Sequence, residues 1–289
     1  MRKFMTVLVV CLSALHAAFA QSPDAIIGAI RWDAWVGEAP TFGDSTSENR
    51  VGLVVERTLA PQHWHYRLPF FAVELGPNQV QVRGNTQEVV DQEILLAADA
   101  GFDYWAFVYY YPGSGLDAAR NFYLRSAYRN AINFSVIIDG WQLTLPETIP
   151  LLVDYFKLSN YQKVLAGRPL VYILGTDYLT RESIDSLRAR VAAAGLPAPY
   201  FVYMGWTADE VKFVIASYGL DAGSSYAQDG YDGQPFHELA QRAEQGWDSY
   251  RESGIKVIPW VTTGWDPRPR IETPVPWGSY PENQWAETA

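Results

Sequence analysis

The sequence has 289 residues, of which 48% are hydrophobic, with a formal net charge of −10. This length suits one barrel-sized domain, which takes roughly 250 residues. The acidic balance argues against nucleic acid and anionic membrane surfaces as partners, because both repel a negatively charged protein.

The first twenty residues have the pattern of a secretory signal peptide. Arg2 and Lys3 precede an apolar run, Val7–Leu15, and Ala18–Ala20 is a small-x-small cleavage site. The run is too short to span a membrane comfortably. Cleavage after position 20 would remove Cys11, which is the only cysteine, and would take the formal net charge from −10 to −12, because two basic and no acidic residues leave. We therefore expect a secreted or periplasmic protein with no disulfide and no membrane insertion after cleavage.

The remaining chain predicts strands that alternate with helix-sized stretches. Seven apolar strands are predicted in chain order: Ile26–Asp33, Phe102–Tyr111, Phe134–Asp139, Leu170–Gly175, Tyr200–Trp206, Leu220–Ser225 and Lys256–Asp266. Buried strands that alternate with helices indicate a parallel sheet. The prediction is an α/β fold, a TIM-type (β/α)8 barrel truncated before the eighth strand, in a single domain over residues 21–289. A doubly wound sheet is the alternative, although no Gly-rich phosphate turn follows the first strand.

Residues 34–84 separate the first strand from the first helix and form a long insertion. Within it, Val51–Thr58 and Gln79–Val82 have the composition of strands. We therefore expect a hairpin-rich loop over the mouth of the barrel. Helix starts are predicted by capping boxes at Asn85 with Glu88 and at Thr207 with Glu210.

Aromatic residues collect where the predicted strands end. The sequence has 11 Trp, 18 Tyr and 13 Phe. Apolar faces of sugar rings pack on aromatic rings, while sugar hydroxyls bind carboxylates, so this composition indicates a neutral oligosaccharide or polysaccharide as ligand. The alternative is that these rings belong to the edge of a large core. The candidate ligand-binding residues are Trp32, Asp33, Tyr110, Trp141, Trp206 and Trp265.

Three aspartates, Asp33, Asp139 and Asp266, end the first, third and seventh predicted strands. Glycoside hydrolysis uses a proton donor and a second carboxyl group, so these residues are candidates for catalysis. They could instead bind sugar hydroxyls or cap the following helices. His63 and His65 could suggest a metal, but the sequence offers no third ligand near them, and no metal or cofactor is expected.

Three stretches carry a resemblance to a known family: Ala100–Trp105 with Val108–Pro112, Tyr161–Val164 with Gly167–Leu170, and Gly264–Arg270. In that order they resemble the second strand, the approach to the fourth strand and the segment after the seventh strand in glycoside hydrolase family 99 and its WbsX-like relatives. The resemblance implies a secreted, endo-α-mannosidase-like glycoside hydrolase that acts on α-linked, mannan-like glycans through carboxylate acid/base catalysis. It also places Tyr110 against the sugar and Asp139 in the site, although the family often has Glu-Pro-Tyr where this sequence has Asp-Gly-Trp.

The same resemblance places the two working carboxylates of the family after the eighth strand, in a motif of the type Asn-Glu-Trp-x-Glu-Gly. That motif does not occur before Ala289. The resemblance therefore implies an incomplete chain that binds glycan without cleaving it. Two alternatives stay open: Asp139 and Asp266 are the working pair, or the protein is a non-catalytic carbohydrate-binding barrel.

Overall fold

The computed structural model describes residues 25–41, 50–228, 230, 233–264 and 266–273. The predicted signal peptide and Trp265 lie outside the described residues. The strands are β1 (Gly28–Arg31), β2 (Val73–Gly76), β3 (Gln79–Gln81), β4 (Tyr104–Val108), β5 (Asn133–Ile138), β6 (Lys163–Val164), β7 (Arg168–Ile173), β8 (Tyr200–Met204) and β9 (Ala222–Ser224). The helices are α1 (Val51–Leu59), α2 (Gln87–Asp99), α3 (Ala118–Arg125), α4 (Thr148–Lys157), α5 (Arg181–Ala193), α6 (Ala208–Tyr218), α7 (Phe236–Glu252) and α8 (Arg268–Glu272), and short 3-10 helices cover Gln62–Arg67, Gly115–Asp117 and Gly140–Thr144.

Six parallel strands form one sheet in the order β1-β4-β5-β7-β8-β9, and the short β6 pairs antiparallel with the start of β7. The sheet is curled, because the hydroxyl groups of Tyr104 and Tyr172 lie 2.7 Å apart on its inner face although β5 separates their strands. Helices connect each strand to the next parallel one. The predicted fold class is confirmed as an open β/α barrel, which also excludes the doubly wound alternative.

The prediction of a seventh strand over Lys256–Asp266 is wrong, apart from a single β-bridge between Val257 and Gly223. The backbone N–H of Gly223 donates to the carbonyl of Lys256 (2.8 Å), and the N–H of Ile258 donates to the carbonyl of Gly223 (3.0 Å). Among the described residues, no further backbone hydrogen bond joins this segment to β9. Pro259, which comes next, lacks an N–H on the edge that faces away from β9. Among the described residues, no strand pairs with the other edge of β1.

The insertion contains a helix where the sequence predicted a strand. Val51–Thr58 forms α1, which buries Val54, Val55, Thr58 and Leu59 on one face. A side chain at Gly52 would overlap the backbone of Gly37, so this helical turn needs glycine. The second predicted strand, Gln79–Val82, is confirmed as β3, which pairs with β2 in the one hairpin found in the described part of the insertion.

Two hydrophobic clusters lie on the two faces of the sheet. Tyr104, Ile137, Tyr172, Val202 and Met204 are among the residues that fill the inside of the barrel. Intervening strand residues face the helices and form the larger outer cluster, which includes Phe107, Phe134, Tyr161, Val171 and Phe201. Side chains alternate along a strand, so positions 110, 139 and 206 continue the inward-facing series beyond the ends of β4, β5 and β8. This alternation brings the candidate residues to the mouth.

Candidate functional site at the carboxyl ends of the strands

An aromatic pair forms the inner wall of the mouth. The indole N–H of Trp32 donates to the hydroxyl of Tyr110 (2.8 Å), and both residues are half-buried. Burial is the main cause that raises the pKa of Tyr110; the bond from Trp32 opposes this, while the charges of Asp139 and Asp33 add to it. The structure therefore brings together Trp32, Tyr110 and Asp139, which the sequence had singled out separately.

Tyr226 belongs to the same wall and was not anticipated from the sequence. It follows β9, packs against the inner cluster, and is close enough to Tyr110 for the two phenol groups to interact electrostatically. Burial, with a contribution from Tyr110, raises the pKa of Tyr226 to about 12. The sequence did contain this information. Positions 222 and 224 of the sixth predicted strand, Leu220–Ser225, face inward, and position 226 continues that series.

Gln142 fixes the ends of two neighbouring strands relative to each other. Its buried side chain donates to the carbonyl of Tyr109 (2.9 Å) and accepts from the backbone N–H of Asp139 (2.8 Å). On the other side, Arg120 donates to the carbonyl of Tyr110 (2.9 Å). The backbone that carries the two functional candidates is therefore held by side chains from outside the mouth.

Asp139 is half-buried within this mouth. Its carboxylate accepts hydrogen bonds from Trp141 and from the backbone N–H of Gly175. A side chain at position 175 would come within 2.7 Å of Oδ1 of Asp139, so glycine is needed there. Burial is the main cause that raises the pKa of Asp139; the two hydrogen bonds oppose this, while the charge of Asp177 adds to it. Asp177, an exposed residue of the loop after β7, is a further acidic candidate that the sequence analysis missed.

Asp266 occupies a different environment, in which two arginines surround its carboxylate. Nη2 of Arg268 lies 2.6 Å from Oδ2 and Nη1 of Arg67 lies 2.9 Å from it. Burial by itself would raise the pKa of Asp266, but the hydrogen bonds and charges of these arginines lower it. Among the described residues, no contact joins Asp266 to Asp139. The geometry gives Asp266 a structural role in attaching α8 to the insertion, and its predicted catalytic role stays a prediction.

Asp33 is also bound to an arginine. Nε of Arg31 lies 2.7 Å from Asp33, Nη2 of Arg31 lies 2.5 Å from Glu93, and the guanidinium lies 4.2 Å from the centre of the Trp105 ring. Burial is the main cause that raises the pKa of Asp33, and Arg31 opposes this shift. This triad lines an open cleft of 330 Å³ beside β1 that also includes Trp35. Arg31 thus joins β1 to α2 through Glu93, and Asp33 binds the same guanidinium from the segment that follows β1.

The remaining candidates have simpler surroundings. Trp206 is largely exposed, and Trp141 is half-buried beside Asp139. His63 contacts Glu272 (2.7 Å), and His65 contacts Glu74 (2.8 Å). Within the described residues, no group of three potential metal ligands assembles, and no helix is long and apolar enough to cross a membrane.

Opposite effects on stability are expected when Asp139 and Asp266 are each replaced by asparagine. The pKa of Asp139 is raised in the folded state, so at neutral pH its charge opposes folding and Asp139→Asn should increase the free energy of unfolding. The pKa of Asp266 is lowered, so its stabilisation is present above the unfolded pKa, and Asp266→Asn should cost about 1.5–3 kcal/mol at pH 7.

Denaturant unfolding of both variants and the unaltered protein at pH 7 and pH 3 tests this pair. Both differences should shrink toward pH 3, because the carboxyl group of Asp139 is then protonated in the folded protein and that of Asp266 is protonated in the unfolded chain. A loss of stability in Asp139→Asn at pH 7 would contradict the environment described for this carboxyl group.

Comparison with known proteins gives matches only among solved structures. No protein-family model and no curated protein matches the chain. The GH99 endo-α-mannosidase from Bacteroides thetaiotaomicron is similar with a TM-score of 0.49 and 17% identity, over 71% of this chain and 63% of that one. A structure of such an enzyme in complex with bis-tris-propane is similar with a TM-score of 0.49 and 16% identity, over 67% and 62% of the two chains. This chain thus spans less than two thirds of each of these two structures, and its fold assignment rests on the strand pairing.

Proposed function

We propose that this protein is an exported, carbohydrate-active barrel of the glycoside hydrolase type, and that its mouth binds a neutral, α-linked, mannan-like glycan. The observation that carries the proposal is the grouping of Trp32, Tyr110 and Tyr226 beside Asp139. Aromatic rings offer apolar faces to sugar rings, and the carboxylate offers acceptors to the hydroxyls. Relationship to family 99 or its WbsX-like relatives is part of the same proposal.

Asp139 is the residue proposed to donate the proton that the leaving glycosidic oxygen needs. A carboxylic acid can do this only if it is protonated at working pH, and burial raises the pKa of Asp139 in that direction. The second carboxyl group proposed is Asp177, since its charge acts on Asp139. Asp266 is less suited, because its two arginine partners stabilise the ionised form.

Hydrolysis of α-mannan by the purified chain tests the reaction. If the chain is active, Asp139→Asn should lower the rate about 10²–10⁴-fold while glycan binding is retained, because proton transfer contributes about that much. Asp266→Asn is the matched control and should lower stability without lowering the rate of the folded protein. An Asp139→Asn variant as active as the unaltered chain would contradict the assignment.

A non-catalytic carbohydrate-binding barrel is the second candidate. The observation in its favour is that Asp33 and Asp266 are both committed to arginines, so two of the three strand-end aspartates are unavailable for chemistry. Glycan binding without hydrolysis by the unaltered chain would support this function.

Export is proposed from the signal-peptide pattern at positions 1–20. Mass spectrometry of the exported protein should find Gln21 as its first residue. An intact N-terminus on a cytoplasmic protein would contradict export.

A further inference from the structure

A strained and exposed tyrosine lies in the loop that follows β7. The backbone N–H of Leu179 donates to the carbonyl of Thr176 (2.9 Å), which closes a four-residue turn, and Tyr178 is its third residue with φ of 58°. That backbone region favours glycine, because a side chain there crowds the neighbouring carbonyl. The side chain of Tyr178 is nevertheless 78% exposed, so little burial offsets this cost. Strain that packing does not explain is typical of a functional position.

The turn is fixed beside the mouth. Leu179 is buried and lies so close to Gly140 that a side chain on Gly140 would come within 2.6 Å of it. Asp177, the second residue of the turn, acts electrostatically on Asp139. Tyr178 therefore lies next to a residue coupled to the proposed proton donor, on a turn held by a buried contact.

Trp206 has the corresponding position on the next loop. It follows β8, which pairs directly with β7, so both loops leave the same edge of the sheet side by side. Its backbone N–H donates to Oε2 of Glu210 (3.1 Å), and Glu210 is itself held by the hydroxyl of Tyr203 (2.7 Å). The side chain of Trp206 is 62% exposed. Two neighbouring loops thus present aromatic rings to solvent from backbones that are held in place.

We propose that Tyr178 and Trp206 form an outer aromatic platform, which binds a further pyranose unit of a glycan whose other units lie in the mouth. This inference rests on the proposed function and narrows its substrate class. The ligand is then an oligosaccharide or polysaccharide of several units, because a single sugar beside Asp139 would leave both outer rings unused. Exposed ring faces suit the apolar face of a pyranose, which is otherwise in water.

Calorimetric titration with mannose oligosaccharides of two to six units tests the platform. Affinity for the unaltered chain should rise with length. Tyr178→Ala and Trp206→Ala should each weaken binding of the six-unit oligosaccharide about fivefold to tenfold and leave the two-unit one unchanged. Phe213→Ala is the matched control and should bind as the unaltered protein does, because Phe213 is an equally exposed ring on the body of α6.

The variant Tyr178→Gly tests whether Tyr178 contributes to glycan binding or only to the stability of its turn. Glycine suits the left-handed backbone, so this variant should keep or raise the melting temperature while it loses affinity as Tyr178→Ala does. A lower melting temperature with unchanged affinity would show a structural role for Tyr178 and would overturn the platform.

The remaining outcomes distinguish this inference from the function on which it rests. Binding that does not depend on length, or an unchanged affinity of Tyr178→Ala for the six-unit oligosaccharide, would overturn the platform and leave the proposed function standing. Absence of binding to every oligosaccharide by the unaltered chain would overturn both.

Discussion

Phe134→Ala is expected to lower the free energy of unfolding by about 3–5 kcal/mol. The Phe134 side chain is fully buried between the sheet and the helices. Its ring makes edge contacts with Tyr123 (5.4 Å between ring centres), Tyr155 (5.5 Å) and Tyr161 (5.0 Å). Alanine would leave a cavity among rings that cannot all move to fill it. Denaturant unfolding at pH 7 measures the loss.

Phe213→Ala is the control for this substitution. The Phe213 side chain is 70% exposed on α6, so its removal should change stability by no more than about 0.5 kcal/mol. A loss below about 1 kcal/mol for Phe134→Ala would contradict the packing of the outer cluster.

Arg120→Met should be comparably destabilising, by about 3–5 kcal/mol, for an electrostatic reason. Arg120 and Asp117 form an ion pair in which their side chains are only 3% and 1% exposed. Removing the guanidinium leaves a buried carboxylate without its counter-charge. The substitution also removes the hydrogen bond to the carbonyl of Tyr110, so glycan binding by the folded fraction should weaken as well.

A double variant separates the cost of the unpaired charge from the loss of packing. The double variant Arg120→Met with Asp117→Asn has neither charge of this ion pair. Its loss of stability should therefore be smaller than that of the single variant. The single variant should also regain stability as pH falls, because burial already raises the pKa of Asp117 and protonation neutralises it. A double variant that is as unstable as the single one would show that packing, and not charge, is what Arg120 contributes.

The alternation of strands and helices could be predicted because the inner strands are buried on both faces and therefore form continuous apolar runs. Helix starts were predicted less exactly. The cap of α2 is Thr86, one residue after the predicted Asn85. At α6, Thr207 does accept from the N–H of Glu210, but the carboxylate of Glu210 binds Trp206 and Tyr203 and does not close the predicted capping box.

Two segments of the fold depended on information that local sequence does not contain. The valines of α1 favour a strand by intrinsic preference, and contacts with β3 and α8 decide for a helix. The segment after Lys256 is apolar enough for a strand, but it pairs with β9 at a single bridge, and its local sequence does not show where that pairing ends.

The site shows the same division between local pattern and distant partners. Trp32, Tyr110 and Asp139 lie close together, as expected for residues that follow parallel strands, and their role in binding stays a prediction. The pairing of Asp266 with Arg67 joins residues 199 positions apart, which no spacing rule anticipates.

The order of strands in the sheet repeats their order along the chain. Each strand after β1 can therefore dock on an edge that the preceding part of the chain has already formed, so assembly can follow the direction of synthesis. Hydrogen bonds between strands are unevenly distributed in such a sheet, because β5 and β7 are bonded on both sides, while β1 has one neighbour among the described residues. Backbone amides of the central strands should consequently be the slowest to exchange with solvent deuterium, and those of β1 should open first.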